Sequence, residues 1–357
     1  REIVARVVPS LPAGLRRKVV PKENAWSWSE LRHVARSRPG EVRLLIGRVN
    51  SASQGNYWAR AAETLQGVSA VNMAYGWDPN SPQLPADVVV PGNVGIRSHL
   101  WARKQRRAIL KGFTHVLYES GRPMLSPLYP DLLTEVEDLR AHGIKVAMVT
   151  HGSDVRTPSR HAELEIFSPF KGSLDGLTDA LEQGAAARHQ DLDALGMDLF
   201  VSTPDQLLYR PEGVWLPTLT QPERWTNLPE AQLGKRKLRV LHVPSRSALK
   251  GTKTISAAMK KLDQEGHIDY FEAVGVPYQD MPGMVANADL VIDQVGMGLY
   301  GVASVEAMLA RRLVVAQVGD HIRDHVRQST GWEIPIIEAD PTTVYDRVKE
   351  VAQNPSA

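Results

Sequence analysis

The chain has 357 residues, 43% apolar and 23% charged, a globular composition at a length that suits two domains better than one core. With no cysteine it can hold no disulfide, thiolate zinc site or cysteine nucleophile. A net charge of +2, from 42 basic and 40 acidic residues, gives no support to generic nucleic-acid binding, and no run reaches the roughly 18 apolar residues of a membrane helix.

Residues 1–40 are basic, proline-containing and include Trp26 and Trp28; no element is assigned to them, and they do not read as a secretory leader. From there on, short runs of Val, Ile and Leu alternate with helical patterns. In the first half, strands are expected at 42–49, 70–74, 88–90, 114–118, 145–150 and 199–202. Helices are expected at 56–65, 97–113 and 129–141. The second half repeats the scheme, with strands at 238–243, 270–274, 290–295, 313–318 and 334–338 and helices at 252–264, 278–286, 302–311 and 341–351. Continuous apolar strands alternating with helices imply parallel sheets covered on both faces. The expectation is an α/β chain of two doubly wound, Rossmann-like domains, residues 1–220 and 221–357, with the break in the proline-containing stretch 217–237. Ligands of such sheets sit beyond the carboxyl ends of the strands, and two such domains face to face would enclose a deep cleft.

Four strand-to-helix loops carry residues suited to chemistry. Residues 41–61 read EVRLLIGRVNSASQGNYWARA, a strand, a Gly/Ser/Asn loop and a helix. This is no GxGxxG fingerprint, so a dinucleotide cofactor is disfavoured; a turn capped by Asn50 or Ser53 explains the loop as well. Residues 145–156 read KVAMVTHGSDVR, and His151 falls at a strand's carboxyl end. It can hydrogen-bond a hydroxyl and orient a reacting centre, although a lone histidine is more often structural. Asp154 can cap a following helix. Residues 238–252 read LRVLHVPSRSALKGT, which sets Arg246 and Lys250 after a buried strand. Two cations there can neutralise a diphosphate, or simply form a solvated basic loop. Residues 289–308 read DLVIDQVGMGLYGVASVEAM: a strand, then Gly296, Gly298 and Gly301, then a helix carrying Glu306. Glycines admit backbone amides to an oxyanion, the helix start adds its positive dipole end, and a carboxylate can accept two ribose hydroxyls.

Together these segments resemble retaining GT-B glycosyltransferases of the broad family-4-like group. Arg246 and Lys250-Gly251 match that group's basic loop after the first strand of the second domain, and Glu306-Ala307-Met308 matches the end of its Glu-x7-Glu element. The resemblance implies a GT-B fold, with Arg246 and Lys250 on the donor diphosphate and Glu306 on the nucleotide ribose. It further implies that His151 lies near the donor sugar and that Gly55 and Asn56 approach donor phosphate and acceptor. The chain departs from the group at Gly298, where the first Glu of the element should touch the donor sugar. Gly298, Leu299, Tyr300 and Gly301 are left to offer backbone amides there.

Residues 97–113 carry Arg97, Arg103, Lys104, Arg106, Arg107 and Lys111 without an acid. At 100° per residue, the cations from Arg103 to Lys111 share one side and Trp101, Ala102, Ala108, Ile109 and Phe113 the other. Such a helix either docks by its apolar side or attracts anionic lipid or a phosphorylated acceptor.

The expected activity is metal-independent transfer of a sugar, with retention, from a UDP- or GDP-type nucleotide sugar to a lipid-linked or glycan acceptor. His151, Arg246 and Lys250 are the expected catalytic residues, no other cofactor or nucleic-acid partner is expected, and the expected setting is cytoplasmic with peripheral membrane contact. A sugar-nucleotide epimerase and a non-catalytic binding subunit on the same fold remain open, the latter favoured by Gly298.

Overall fold

The computed structural model describes residues 7–21, 24–76, 84–172, 174, 176–244 and 248–354. The chain forms two compact units. The first comprises residues 1–154, 187–202 and 212–216; the second comprises 155–186, 203–211 and 217–357.

The first unit is built on a parallel sheet of β1 (Val42–Arg48), β2 (Val68–Gly76), β3 (Val88–Pro91), β4 (His115–Glu119), β5 (Lys145–Thr150), β6 (Asp198–Val201) and β7 (Val214–Trp215). Its strand order is β3-β2-β1-β4-β5-β6-β7, so the order reverses beside β1. Leu45 pairs with Val71 on one side and Val116 on the other, and all three are buried, which is why these strands read as unbroken apolar runs. The helix expected over 97–113 is found as His99–Gly112, two residues inside the expected start, and a separate short helix, Gly92–Arg97, precedes it. Ser98 divides them: its hydroxyl accepts from Trp101 N at 3.3 Å and caps the second helix.

The second unit carries a parallel sheet of β8 (Leu238–His242), β9 (Ile268–Glu272), β10 (Leu290–Ile292), β11 (Leu313–Ala316) and β12 (Ile337–Glu338), in the order β12-β11-β10-β8-β9. Val240, Ile255, Leu262, Ile268, Val315 and Val348 pack in its core. The helix over 252–264 has the expected bounds, Thr252–Gln264. β10 stops three residues short of its expected end, although Asp293 N still donates to Val315 O of β11 at 3.1 Å. The expected boundary near 220 lies close to the start of the last segment of the second unit, but 155–186 and 203–211 also belong to that unit. Among the described residues no helix is long and apolar enough to cross a membrane.

Candidate functional site

In the second unit the site residues gather at the carboxyl ends of β8 and β10. After β8 the chain passes through Arg246, which lies outside the described residues, to Lys250 and Gly251. Gly251 has φ +70 and a β-carbon there would collide with the Val295 carbonyl, so both backbone conformation and space require glycine. Beneath this loop His242 is fully buried, with Nδ1 2.9 Å from Ile292 O and Nε2 3.0 Å from Thr252 Oγ1. Burial lowers its pKa and keeps the ring neutral. A neutral imidazole donates to the carbonyl through Nδ1 and accepts the Thr252 hydroxyl at Nε2, tying the helix start to β10.

Lys250 is held rather than free. Its ammonium meets Asp293 Oδ1 at 2.6 Å, while Asp293 Oδ2 accepts from Gly301 N and Ser304 Oγ, each at 2.7 Å. Burial opposes ionisation of Asp293, but Lys250, Ser304 and Gly301 together hold the carboxyl below its ordinary range. One buried carboxylate thus positions both the cation after β8 and the start of helix Val302–Leu309. Lys250 keeps two further N–H groups for a ligand.

The glycine loop is fastened from below. Gln294 donates to the carbonyls of Leu299 and Gln317 and accepts from Met297 N, Gln317 Oε1 accepts from Gly296 N, and Gly319 N donates to Gly298 O. The N–H groups of Leu299 and Tyr300 have no partner among the described residues. Burial, reinforced by Asp205, pushes the Tyr300 hydroxyl up to about 12, so it stays a neutral donor.

Gly298 owes its identity to an unforeseen neighbour. Its φ is +66, and a β-carbon there would lie 2.5 Å from Glu165 Oε1 and 2.8 Å from Oε2. The carboxylate of Glu165, from the 155–186 segment, therefore fills the space a side chain at 298 would enter. Glu165 is half-buried and its side chain has no hydrogen-bond partner among the described residues. Burial, with Asp205 and Glu338, raises its pKa. His161 secures this segment, with Nε2 3.2 Å from Met297 O and Nδ1 2.7 Å from Ser168 Oγ; burial drives its pKa down to about 4 and keeps it uncharged.

Glu306 is 7% exposed and its side chain makes no hydrogen bond among the described residues. Burial raises its pKa to about 7 against the pull of Arg224 and Lys250. Arg224 lies over the Tyr278 ring, 4.1 Å from its centre, and donates to Tyr278 O at 3.0 Å. Lys250, the unpaired amides, Glu306 and Glu165 thus give the second unit a cation, backbone donors and two carboxylates without partners.

In the first unit His151 follows β5. Its Nε2 lies 3.3 Å from Glu119 Oε1 at the end of β4, and its ring stacks on Trp58 with centres 5.5 Å apart. Asp154 accepts from His151 N with both oxygens at 3.0 Å, so it fixes the turn instead of capping a helix. Burial raises the pKa of Glu119; burial alone would lower that of His151, but the Glu119 carboxylate raises it overall. Gly55 and Asn56 are buried in the first turn of helix Gln54–Ala62. A β-carbon at Gly55 would lie 2.5 Å from Asn72 Nδ2 and 3.1 Å from both Glu119 oxygens, so glycine lets the helix approach the carboxylate.

Of the four basic residues proposed as a surface, Arg103, Lys104, Arg107 and Lys111 are all exposed on helix His99–Gly112. Arg106 departs from the expected face: it pairs with Asp138 through two bonds of 2.7 and 2.8 Å and with Tyr129 at 2.7 Å. Glu119, Glu165 and Arg224 went unnoticed in the sequence. Glu119 left a faint signal as the polar last residue of an apolar strand; Glu165 left none.

No family model and no curated protein matches the chain. Among solved structures it is similar to the sucrose-phosphate synthase of Thermosynechococcus elongatus, at 15% identity over 88% of this chain and 90% of that one, with a TM-score of 0.54. The fold is GT-B. The GT-B chain also overlaps the catalytic domain of starch synthase IV from Arabidopsis thaliana bound to ADP and acarbose, at 10% identity, 87% and 91% coverage and a TM-score of 0.47. A UDP-GlcNAc 2-epimerase from Neisseria meningitidis bound to UDP-GlcNAc gives 9% identity, 87% and 91% coverage and a TM-score of 0.47.

Proposed function

We propose that this GT-B chain is a glycosyltransferase that moves a sugar from a nucleoside diphosphate sugar, of UDP or GDP type, to an acceptor on the first unit. The observation that carries the reading is the pairing, at the carboxyl ends of β8 and β10, of a positioned cation with a partnerless buried carboxylate. Lys250 and the free amides of Leu299 and Tyr300 suit a diphosphate, while Glu306, an acceptor-only group when ionised, suits ribose hydroxyls.

In the reaction, the bond from the anomeric carbon to the diphosphate breaks as charge builds on the phosphate oxygens, the acceptor oxygen bonds to that carbon, and the acceptor hydroxyl proton passes to the departing diphosphate. In this reading Lys250 and the amides meet that charge, so their stabilisation grows toward the transition state. Arg246 adds a second cation in this reading. Glu165 repels phosphate and accepts hydroxyls, so it takes the sugar-contacting role that Gly298 lacks. In the first unit His151, braced by Glu119 and Trp58, orients a sugar or acceptor hydroxyl. Protein groups carry the leaving-group charge without a metal, and the transfer proceeds with retention.

The test is thermal stabilisation by UDP-, GDP- and ADP-sugars, followed by donor hydrolysis and transfer assays. A ligand that binds only the folded form raises the melting temperature. Stabilisation by one nucleotide class, with release of its diphosphate, is expected. Stabilisation without turnover across donors and acceptors marks a binding subunit instead.

A further inference from the structure

The cations of helix His99–Gly112 do not simply face solvent. Lys104, Arg107 and Lys111 form one wall of a concavity of about 760 Å³, and Arg32 and Arg36 come to it from the segment before β1. Leu31 and Ala108 supply apolar lining, and no acidic side chain lines it among the described residues. The side chains of Arg32, Arg36, Arg107 and Lys111 have no hydrogen bond or ion pair among the described residues. Lys104 has only the Trp28 ring, 5.2 Å away.

The two walls are locked together. Gln105 accepts from Ala35 N at 2.8 Å and donates to Ala35 O at 3.2 Å, and Trp101 Nε1 donates to His33 O at 2.7 Å. All three bonds are buried or partly buried, so the fold sets the spacing of the two backbone segments that carry the exposed cations. Gathering five like charges without counter-charge opposes folding, and bound anions relieve that repulsion.

The place in the fold excludes the sugar-transfer chemistry as the cause. Gly112 lines the pocket just before β4 begins, and its carbonyl accepts from Arg43 at the start of β1. The pocket therefore lies at the amino-terminal edge of the first sheet, whereas His151, Glu119 and Gly55 lie at the carboxyl-terminal edge of the same sheet.

We propose that this pocket is a second binding site, specific for a ligand bearing clustered phosphate groups, separate from the nucleotide-sugar site. Five exposed cations on two backbone segments held together, beside Leu31 and Ala108, match phosphates carried on a less polar body, as a free phosphorylated metabolite or a phospholipid headgroup presents them.

Calorimetric titration with tripolyphosphate, and flotation with phosphatidylglycerol-containing against pure phosphatidylcholine vesicles, test this on the full chain. The wild type should bind tripolyphosphate in a salt-sensitive manner. The doubly reversed variant Arg36→Glu/Arg107→Glu should lose more than about tenfold in affinity, with its melting temperature unchanged or raised because both residues are exposed. Lys250→Ala, in the other unit, should keep this binding. Anionic vesicles competing with tripolyphosphate would identify a headgroup as the source; tripolyphosphate binding without flotation would identify a free ligand. Absence of both kinds of binding, full tripolyphosphate affinity in the charge-reversed variant, or its loss in Lys250→Ala would overturn the proposal.

Discussion

Lys250 shows how one side chain depends on another. A lysine in a loop is a point charge on a flexible stem, but Asp293 fixes this one at 2.6 Å and is itself fixed by Gly301 and Ser304. Lys250→Ala should therefore act twice. Nucleotide affinity should fall about tenfold or more, the scale of one lost charged hydrogen bond, and the fold should weaken because Asp293 loses its counter-charge. Denaturant unfolding separates the second effect from the first. Glu306 gives a pH signature. Its pKa is about 7 when folded and near its ordinary value when unfolded, so between these values the folded chain holds the extra proton. The burial of Glu306 thus makes stability fall as pH rises through that window. His161, held down to about 4, contributes the opposite slope below neutrality, so the comparison is wild type against Glu306→Gln, which lacks only the first. Ribose hydroxyls favour the ionised carboxylate, so nucleotide affinity should rise with pH through about 7 in the wild type and stay flat in Glu306→Gln. At Gly298, Ala should destabilise by about 1–2 kcal/mol from its positive φ alone, and more with Glu165 in place; Glu165→Ala should relieve only the second part, as urea unfolding of the double variant would show.

At the scale of elements, the alternating apolar pattern was legible because parallel strands buried on both faces leave uninterrupted Val, Ile and Leu runs. Helix Thr252–Gln264 and strand β5 appear with their expected bounds. The pattern misled where a polar group, not the apolar period, decides the boundary. Ser98 caps helix His99–Gly112 two residues inside its expected start, and β10 ends at Ile292, just before the buried carboxylate of Asp293. β7 has only two residues and leaves no periodicity to read. Ser98→Ala should cost about 1 kcal/mol through loss of the cap, measured by thermal unfolding against Ser329→Ala, an exposed serine of helix Asp320–Thr330. The site divides in the same way. Lys250, Glu306 and His151 stood at strand ends that the pattern locates, whereas Glu119 and Glu165 act through contacts distant in sequence.

For the whole molecule, the two units are not two consecutive lengths of chain. Residues 155–186 and 203–211 belong to the second unit although strands β6 and β7 of the first lie beyond them. No local pattern records such an excursion, since each segment looks like an ordinary loop and helix, and the expected division at 220 missed it. Glu165 and His161 ride on that excursion, which is why Gly298 read as a simple loss when it is the partner of a carboxylate elsewhere. A fragment of residues 1–220 should consequently leave His161 and its neighbours without their partners and be cut by protease between 155 and 186, where the intact chain resists. The account rests most heavily on the second unit recognising a nucleoside diphosphate. Calorimetric titration of whichever of UDP, GDP or ADP stabilises the protein most, into wild type, Lys250→Ala and Glu306→Ala, addresses that directly. Saturable binding that weakens at least about tenfold in both variants is the predicted result; no binding by the wild type, or undiminished affinity in both variants, would contradict it.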